Sequence, residues 1–233
     1  MTLREAVYMC MDEVKLNSDD SFFTEDHVVF LLGKYRSLVL KKEMEKENKA
    51  LSSSNTQTIC LNLIPYTDSE DPCGETVLKS EGKLPDLIND KAIVYPVEYF
   101  AGDRIIYTSM ERFRFATYNR MTRVLIYAAK GPDNYLYVKS GNPQFMYLRQ
   151  VTVKGVFENF IEAAKHSCKE SEDTSCDIMD TEFPLENALV PTVIELVVKE
   201  LTGYKYQPRD TRNNASDDAS VLQQTAKEVQ KGE

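Results

Sequence analysis

The stretch from Asp180 to Leu201, DTEFPLENALVPTVIELVVKEL, constrains the fold more than any other part of the sequence. Its second half is apolar over most of a helical surface, so it has to be buried between other elements. The residues responsible are Val193, Ile194, Leu196, Val197, Val198 and Leu201. We expect a helix over 184–201 that either starts near Leu189 or kinks at Pro191, because proline disrupts a helix interior. Gly203 suits the position just after the helix end.

Two amphipathic helices are predicted near the N-terminus, where they could cover that apolar helix. The first spans 2–15, with Thr2 and Glu5 at the two positions of a capping box. Thr24 caps the second helix, which runs to about Glu47. The expected buried stripe of the second helix consists of Val28, Leu31, Leu32, Tyr35, Leu38 and Val39. A short polar turn between the two helices favours an antiparallel α-hairpin.

The middle of the chain has the patterns of β-structure. Residues 58–64 alternate in polarity and predict a strand that ends at Pro65. Two short extended segments are predicted further on, whereas the next stretch fits either a helix or a strand. These are, in order, 93–99, 103–108 and 113–119.

A β-hairpin is the clearest β-feature. Its arms are 124–129 and 135–139, and Pro132 and Asn134 in the connecting loop supply the turn geometry. A long strand over 144–157 is predicted next, and three consecutive strands of this kind indicate an antiparallel meander. Residues 159–167 fit either a short helix or a loop.

These elements together predict an α+β fold. We expect a helical bundle, made of the N-terminal α-hairpin and the C-terminal helix, with an inserted antiparallel β-sheet and an extended C-terminal tail. The expected regions are 1–50 plus 180–205 for the helical core, 51–179 for the β-rich inserted region and 206–233 for the tail. The tail has little apolar bulk before Val221 and Leu222, so we expect it to order only against a partner.

Several protein classes are disfavoured by composition. No apolar run approaches the roughly 20 residues of a membrane span. The N-terminal stretch has acids inside its apolar part and does not fit a secretory signal, so the chain is expected to stay in the cytoplasm where it is made. The five cysteines are odd in number and irregular in spacing, which predicts free thiols. They are Cys10, Cys60, Cys73, Cys168 and Cys176.

No catalytic or cofactor-binding motif is visible. The nine glycines are scattered and form neither a dinucleotide-binding nor a Walker loop. The two histidines, His27 and His166, lie in no signature of nucleophilic catalysis. His166 with Cys73, Cys168 and Cys176 matches no zinc-site spacing, and the acids Asp177, Asp180 and Glu182 are explained by the dipole of the helix that follows. We therefore predict a non-enzymatic protein with no cofactor and no metal.

Charge is distributed unevenly along the chain. Residues 104–155 carry a formal charge of +7, and residues 156–233 carry −8. Such a chain could complement a neighbouring copy of itself, or each charge could simply solvate its own surface. The residues predicted to contact a second subunit or another partner are Arg112, Arg114, Arg120, Arg123, Tyr204, Tyr206, Arg209, Arg212, Val221 and Leu222.

The basic segment 104–155 also contains many aromatic residues. Rings for stacking and cations for phosphate are what a nucleic-acid platform needs. However, strand alternation sends about half of the rings into the core, and the net charge of −9 for the whole chain opposes binding to nucleic acid. Nucleic-acid binding through this basic aromatic sheet is therefore the alternative function. An enzyme with an unrecognised site is a third possibility, with the least support.

Four long strings, in this order, resemble the structural proteins of crAss-like phages. They are DEVKLNSDDSFFTEDHVVFLLGKYRSLVLKK (12–42), QTICLNLI (57–64), YAAKGPDNYLYVKSGNPQFMYL (127–148) and CDIMDTEFPLENALVPTVIELVVKELTG (176–203). The similarity covers most of the chain and consists of whole segments rather than a catalytic motif. It points to the head-to-tail connector proteins, which are ring or adaptor proteins of the neck between portal and tail.

The resemblance implies a virion protein with several partners. These would be further copies of itself, in a ring of roughly twelve set by the portal symmetry, the portal protein, and other neck ring or tail proteins. Genomic DNA would pass through the ring lumen without sequence-specific binding, and no membrane would be involved. The helical hairpin, the third helix and the polar tail suit such a connector.

Overall fold

The computed structural model describes residues 1–17, 23–47, 52–67, 76–97, 105–166, 168 and 178–203. Within these ranges the chain is a mixed α/β structure with a seven-stranded sheet and five α-helices. The helices are α1 (Leu3–Asn17), α2 (Glu25–Glu47), α3 (Met110–Phe115), α4 (Phe160–Lys165) and α5 (Val190–Gly203). The strands are β1 (Gln57–Thr67), β2 (Thr76–Lys83), β3 (Leu87–Pro96), β4 (Ile106–Tyr107), β5 (Tyr127–Lys130), β6 (Tyr135–Lys139) and β7 (Gln150–Phe157).

The three long helices α1, α2 and α5 pack together around one apolar cluster. The predicted capping box of α1 is present: the Glu5 amide donates to Thr2 Oγ1 (3.2 Å), and the Thr2 amide donates to Glu5 Oε2 (2.9 Å). Thr24 Oγ1 accepts a hydrogen bond from the His27 amide at the start of α2 (3.4 Å). The two N-terminal helices and their capping residues are therefore confirmed.

Helix α5 starts at Val190. Of the two sequence alternatives, the start near Leu189 is confirmed. Pro191 then occupies the first turn, where the missing amide proton has no helical partner to lose. Gly203 is the last described residue of the helix.

The stripe predicted for α2 is wrong at one position. Leu38 is exposed, whereas Leu40 and Arg36 are buried. The helical periodicity was predicted correctly. The buried face also contains the charged residue Arg36, and a hydrophobicity pattern assigns charged residues to solvent.

The strand order in the sheet is β3-β7-β1-β2-β6-β5-β4. Strands β4 and β5 are parallel, and the other neighbours are antiparallel. The two outermost strands also meet, because Val94 of β3 and Ile105 just before β4 form an antiparallel bridge. The sheet therefore curls into a barrel, and its inward side chains make a second apolar cluster.

The predicted meander is wrong. Strands β5 and β6 do form the expected hairpin, with Asn134 in the left-handed region at φ 64°. Strand β7, however, pairs with β1 and β3, and β1 and β2 lie between it and β6. Residues 144–157 are not one strand either, because Pro143–Tyr147 form a 3₁₀ turn capped by Asn142.

Other predictions for the β-region need smaller corrections. The first strand does not end at Pro65 but continues to Thr67. Proline is tolerated there because the pairing of β1 with β7 stops at Asn62, so Pro65 has only β2 beside it. Strand β2 was missed, and the predicted extended segment 93–99 is the second half of the longer β3. The ambiguous 113–119 is helix α3 followed by turns, and 159–167 contains the short helix α4.

Arg36 joins the helical cluster to the barrel. Its side chain is fully buried (0% exposed). The guanidinium donates to the carbonyl oxygens of Pro184 (2.8 Å), Phe157 (2.8 Å) and Asn55 (3.3 Å). These carbonyls belong to the approach to α5, the end of β7 and the approach to β1. Burial lowers the pKa of Arg36 to about 10, so the side chain stays charged at neutral pH.

Replacing Arg36 should destabilise the whole fold. Arg36→Met removes three donors and leaves buried carbonyls without partners, so we expect a loss of about 2–5 kcal/mol in the free energy of unfolding. Lys34→Met is the control on the same helix. Lys34 is half exposed and forms one ion pair with Glu200 (3.1 Å), so its loss should cost no more than about 1 kcal/mol. Urea unfolding followed by circular dichroism measures both, and equal losses would contradict the role of Arg36.

The prediction of free thiols is wrong for two cysteines. Cys60 of β1 and Cys168 beyond α4 form a disulfide. The Cys60 amide donates to the carbonyl of His166 (2.9 Å), which places the two segments side by side. The cysteines are 108 residues apart in sequence, so local spacing gave no signal of the pairing. Among the described cysteines Cys10 is free and buried, and burial raises its pKa to about 12.

The disulfide predicts a simple difference in thiol count. The Cys60–Cys168 bond should hide two thiols of the denatured protein until it is reduced. In Cys60→Ser this bond is lost, so the difference in thiol count before and after reduction should fall by two. Alkylation followed by intact mass spectrometry counts the thiols. Equal counts before and after reduction in the unmodified chain would show that Cys60 and Cys168 are not joined.

Candidate interaction surface

A run of turns projects from the barrel between β4 and β5. It comprises α3 and the residues up to Leu125, and we call it the basic ridge (Met110–Leu125). Parallel strands such as β4 and β5 need a crossover connection, and the basic ridge is that connection. Successive main-chain bonds of the type i to i+3 run through it, for example Tyr118 to Phe115 and Leu125 to Thr122.

The basic ridge exposes a row of large apolar side chains. Phe115, Tyr118, Met121 and Val124 are spaced three residues apart, and between 60% and 86% of each is exposed. In turns with about three residues each, side chains at this spacing fall on one side. The rings of Phe115 and Tyr118 are 6.4 Å apart. Exposed apolar rows of this kind mark interaction sites.

The four predicted arginines lie on the same ridge. Arg112, Arg114, Arg120 and Arg123 are all exposed. The structure thus brings these sequence-predicted residues together and adds the apolar row. Two of its members, Met121 and Val124, were missed by sequence reasoning, although their three-residue spacing from Tyr118 was visible. The other predicted contact residues, Tyr204, Tyr206, Arg209, Arg212, Val221 and Leu222, lie outside the described residues.

The basic ridge is fixed to the barrel at several points. Phe113 is buried, and Lys139 Nζ lies over its ring (5.1 Å from the centroid) while donating to the carbonyl of Arg114 (2.9 Å). The Gly141 amide donates to the carbonyl of Arg123 (2.8 Å). The exposed side chains are therefore presented from an anchored backbone, which lowers the entropy cost of binding.

Two of the surface cavities lie beside the basic ridge. One, of about 540 Å³, is lined by Arg120, Arg123 and Lys139 together with Gly141. Another, of about 420 Å³, lies beside α3 and is lined by Arg112, Phe115 and Tyr127 among others. The cavity beside α3 is the more open of the two.

The aromatic residues of 104–155 do not form one exposed platform. Phe113 and Phe145 are buried. Tyr135 and Tyr137, with Tyr66 of β1, surround Lys79, whose Nζ is 4.1–5.2 Å from the three ring centroids. Exposed rings remain at Phe115, Tyr118 and Tyr147. Two of these three exposed rings, and four of the arginines, lie on the basic ridge.

The Lys79 cluster is a structural contact on the barrel surface. Lys79 Nζ and the Tyr137 hydroxyl both donate to Asp133 Oδ2, at 2.8 Å and 2.7 Å. Burial works against ionisation of Asp133, but the hydrogen bonds from Lys79, Tyr137 and the Tyr135 amide outweigh it, and the Asp133 pKa is lowered. The bond to Asp133 raises the pKa of Lys79. The cluster therefore joins β2 to the β5–β6 hairpin as an ion pair at neutral pH.

The structure describes only part of the His and Cys set considered for zinc. Within the described ranges, no set of three or more His, Cys, Asp and Glu side chains is placed to hold a metal ion. Cys168, a candidate zinc ligand, is bonded to Cys60, and Cys73 and Cys176 lie outside those ranges. Among the described helices, none is both long and apolar enough to cross a membrane.

Comparison with known proteins identifies the family. A family model described as phage tail ring protein 2 matches residues 5–219. Ring protein 2 of the Bacteroides phage crAss001 is 47% identical over 221 residues, which cover 94% of this chain and 98% of the relative. The chain belongs to the phage tail ring protein 2 family. The resemblance to crAss-like phage structural proteins is thereby confirmed, and the chain has a structural role in the virion.

The attachment of the ridge can be tested at Gly141. A Cβ atom there would lie 2.2 Å from Arg123 Cγ and 2.8 Å from the Arg123 carbonyl oxygen, so the backbone would have to move. We expect Gly141→Ala to cost about 1–3 kcal/mol of stability and to loosen the ridge. Gly203→Ala is the matched control, because a Cβ at Gly203 meets nothing within 4 Å. Limited proteolysis and thermal melting compare the two, and identical behaviour would refute the close approach.

Proposed function

We propose that this protein is a non-enzymatic head-to-tail connector that forms a closed ring in the neck of the virion. The ring would contain roughly twelve copies, dock on the portal protein and contact other neck ring or tail proteins. DNA would pass through its lumen without sequence-specific binding. The chain would be made in the host cytoplasm and then assembled into the virion.

The observation that carries the proposal is the basic ridge, an anchored segment with an exposed apolar row, in a member of the phage tail ring protein 2 family. A protein that acts alone gains nothing from exposing Phe115, Tyr118 and Met121 together, whereas a subunit can bury them against a neighbour. The four arginines would steer encounter and set register, while the apolar row would supply most of the lasting attraction. The helical core 1–50 plus 180–205, with Tyr204, is proposed as a further contact with portal and tail partners. The tail 206–233 is proposed as another, through Tyr206, Arg209, Arg212, Val221 and Leu222.

Imaging of assemblies tests the ring. Purified full-length chain, with and without the portal protein of the same phage, should give negative-stain class averages of a closed ring with a central hole. Reversal of Arg112, Arg114, Arg120 and Arg123 to Glu should abolish the rings, because the ridge would then repel its partner. Reversal of four exposed lysines elsewhere is the control with the same change in net charge, at Lys41, Lys42, Lys83 and Lys165. Monomers under all conditions would refute the ring.

Nucleic-acid binding through the basic segment is the second candidate. Four exposed arginines beside Phe115 and Tyr118 give it some support, since phosphates bind arginine and bases stack on rings. A gel-shift experiment with double-stranded and single-stranded DNA separates the two candidates. A DNA-binding protein would lose binding in proportion to the arginines removed and with rising salt, whereas a connector would show weak binding that the ridge reversals do not change.

A further inference from the structure

Helix α1 has a second face that no other described part of the chain covers. Its inner face is buried in the helical cluster and consists of Leu3, Ala6, Val7, Cys10 and Val14. Its outer face is exposed and consists of Glu5, Tyr8, Met9, Asp12, Glu13 and Leu16. The spacing 5, 8, 9, 12, 13, 16 is that of one continuous helical stripe. We call this stripe the α1 outer face.

The α1 outer face alternates acidic and apolar groups. Tyr8 and Met9 are 45% and 46% exposed, and Leu16 is 86% exposed. Acidic residues lie one helical turn to either side of the Tyr8–Met9 pair, with Glu5 before it and Asp12 and Glu13 after it. Surface helices usually place polar residues at such positions, so three large apolar side chains on one stripe mark a surface that a partner could cover.

The basic ridge is complementary to the α1 outer face in its apolar side chains and in the sign of its charge. It has an exposed apolar row, Phe115, Tyr118, Met121 and Val124, where the helix has Tyr8, Met9 and Leu16. It has four exposed arginines where the helix has acids. Contact between the two would bury apolar side chains in the centre and pair opposite charges at the rim, which is the usual anatomy of a protein interface.

The two surfaces belong to different parts of the chain, and both are exposed in the same copy. They therefore do not cover one another within one molecule, and a contact between them has to join two copies. A contact between different surfaces is heterologous, and repeated around a rotation axis it closes into a ring. We propose that the basic ridge of one copy docks on the α1 outer face of the next copy. This inference rests on the proposed ring and names the surfaces that form it.

Two acids of the final segment 156–233 are engaged in contacts within their own chain. Among the described ones, Asp180 accepts a hydrogen bond from Arg4 (2.8 Å), and Glu200 accepts bonds from Tyr35 and from Lys34 (3.1 Å). The hydrogen bond from Arg4 lowers the pKa of Asp180, and the bond from Tyr35, followed by that from Lys34, lowers the pKa of Glu200. These carboxylates already stabilise the helical cluster of their own chain. The acids of the α1 outer face differ from these two in lying beside exposed apolar side chains, Tyr8, Met9 and Leu16.

A charge swap tests the inference directly. Asp12→Arg with Glu13→Arg should abolish rings, and so should Arg120→Glu with Arg123→Glu. The four changes together should restore rings, because the charges are again opposite across the contact. Glu162→Arg with Glu195→Arg is the control, since both are exposed acids of the final segment. Negative-stain imaging and analytical ultracentrifugation report assembly, and circular dichroism confirms that each variant folds.

Mixing of two full-length variants, each with one surface substituted, tests the head-to-tail geometry. Tyr8→Ser with Met9→Ser damages only the α1 outer face, and Phe115→Ser with Met121→Ser damages only the ridge. Each variant alone should remain monomeric. An equimolar mixture should stop at 1:1 dimers, because only one intact contact can form. These exposed positions also give a readout if a charge-reversed variant does not fold.

The outcomes separate this inference from the ring itself. Normal rings with the Asp12 and Glu13 reversals, or loss of rings in the Glu162 and Glu195 control, would overturn the pairing while leaving the connector function in place. The pairing would also be wrong if the Arg120 and Arg123 reversals abolished binding of double-stranded DNA but left the rings intact. Failure of the unmodified chain to form rings at all would remove the proposed function and this inference together.

Discussion

The fold depends on one buried charge. Arg36 reaches from α2 to the end of β7 and to the approaches to β1 and α5, so a single guanidinium fixes three main-chain segments at the junction between helices and barrel. Apolar packing continues across the same junction, because the helical cluster includes Ile88 of β3 and Val156 of β7. Apolar contacts are not directional, whereas the planar donor fork of arginine requires one arrangement of its acceptors. Arg36 therefore sets the orientation that packing alone would leave open.

The candidate interface follows from the topology of the barrel. A parallel pair, β4 and β5, closes the barrel beside β3, and a parallel pair requires a crossover. That crossover is the basic ridge, held at its base by Lys139 and Gly141. A connection that the fold needs for its own closure thus carries the exposed apolar row. The surface would be lost without the barrel, so the proposed assembly would depend on the stability of the sheet.

Local signals predicted the helical elements, and pairing over long sequence distances produced the errors. The capping pairs at Thr2 and Thr24, and the proline in the first turn of α5, depend on neighbouring residues and were readable. The strand order was not, because β1 and β2 insert between β7 and β6 through partners far away in sequence. The Cys60–Cys168 bond and the burial of Arg36 have the same cause. For the candidate interface, the clustering of the four arginines was visible in the charge pattern, whereas the exposure of Tyr8 and Met9 on α1 depends on how the helix packs and was not.

Helix α1 combines two requirements that usually conflict. Its inner face must be apolar to hold α5, and a second apolar face would make the free subunit prone to aggregate. Glu5, Asp12 and Glu13 reduce that risk, since they surround Tyr8 and Met9 with negative charge and repel the same face of another copy. A surface that is both apolar and basic, such as the basic ridge, would remove the repulsion and bury Tyr8 and Met9 at the same time. In the proposed contact the acids would therefore oppose self-association of this face and at the same time favour a basic partner surface.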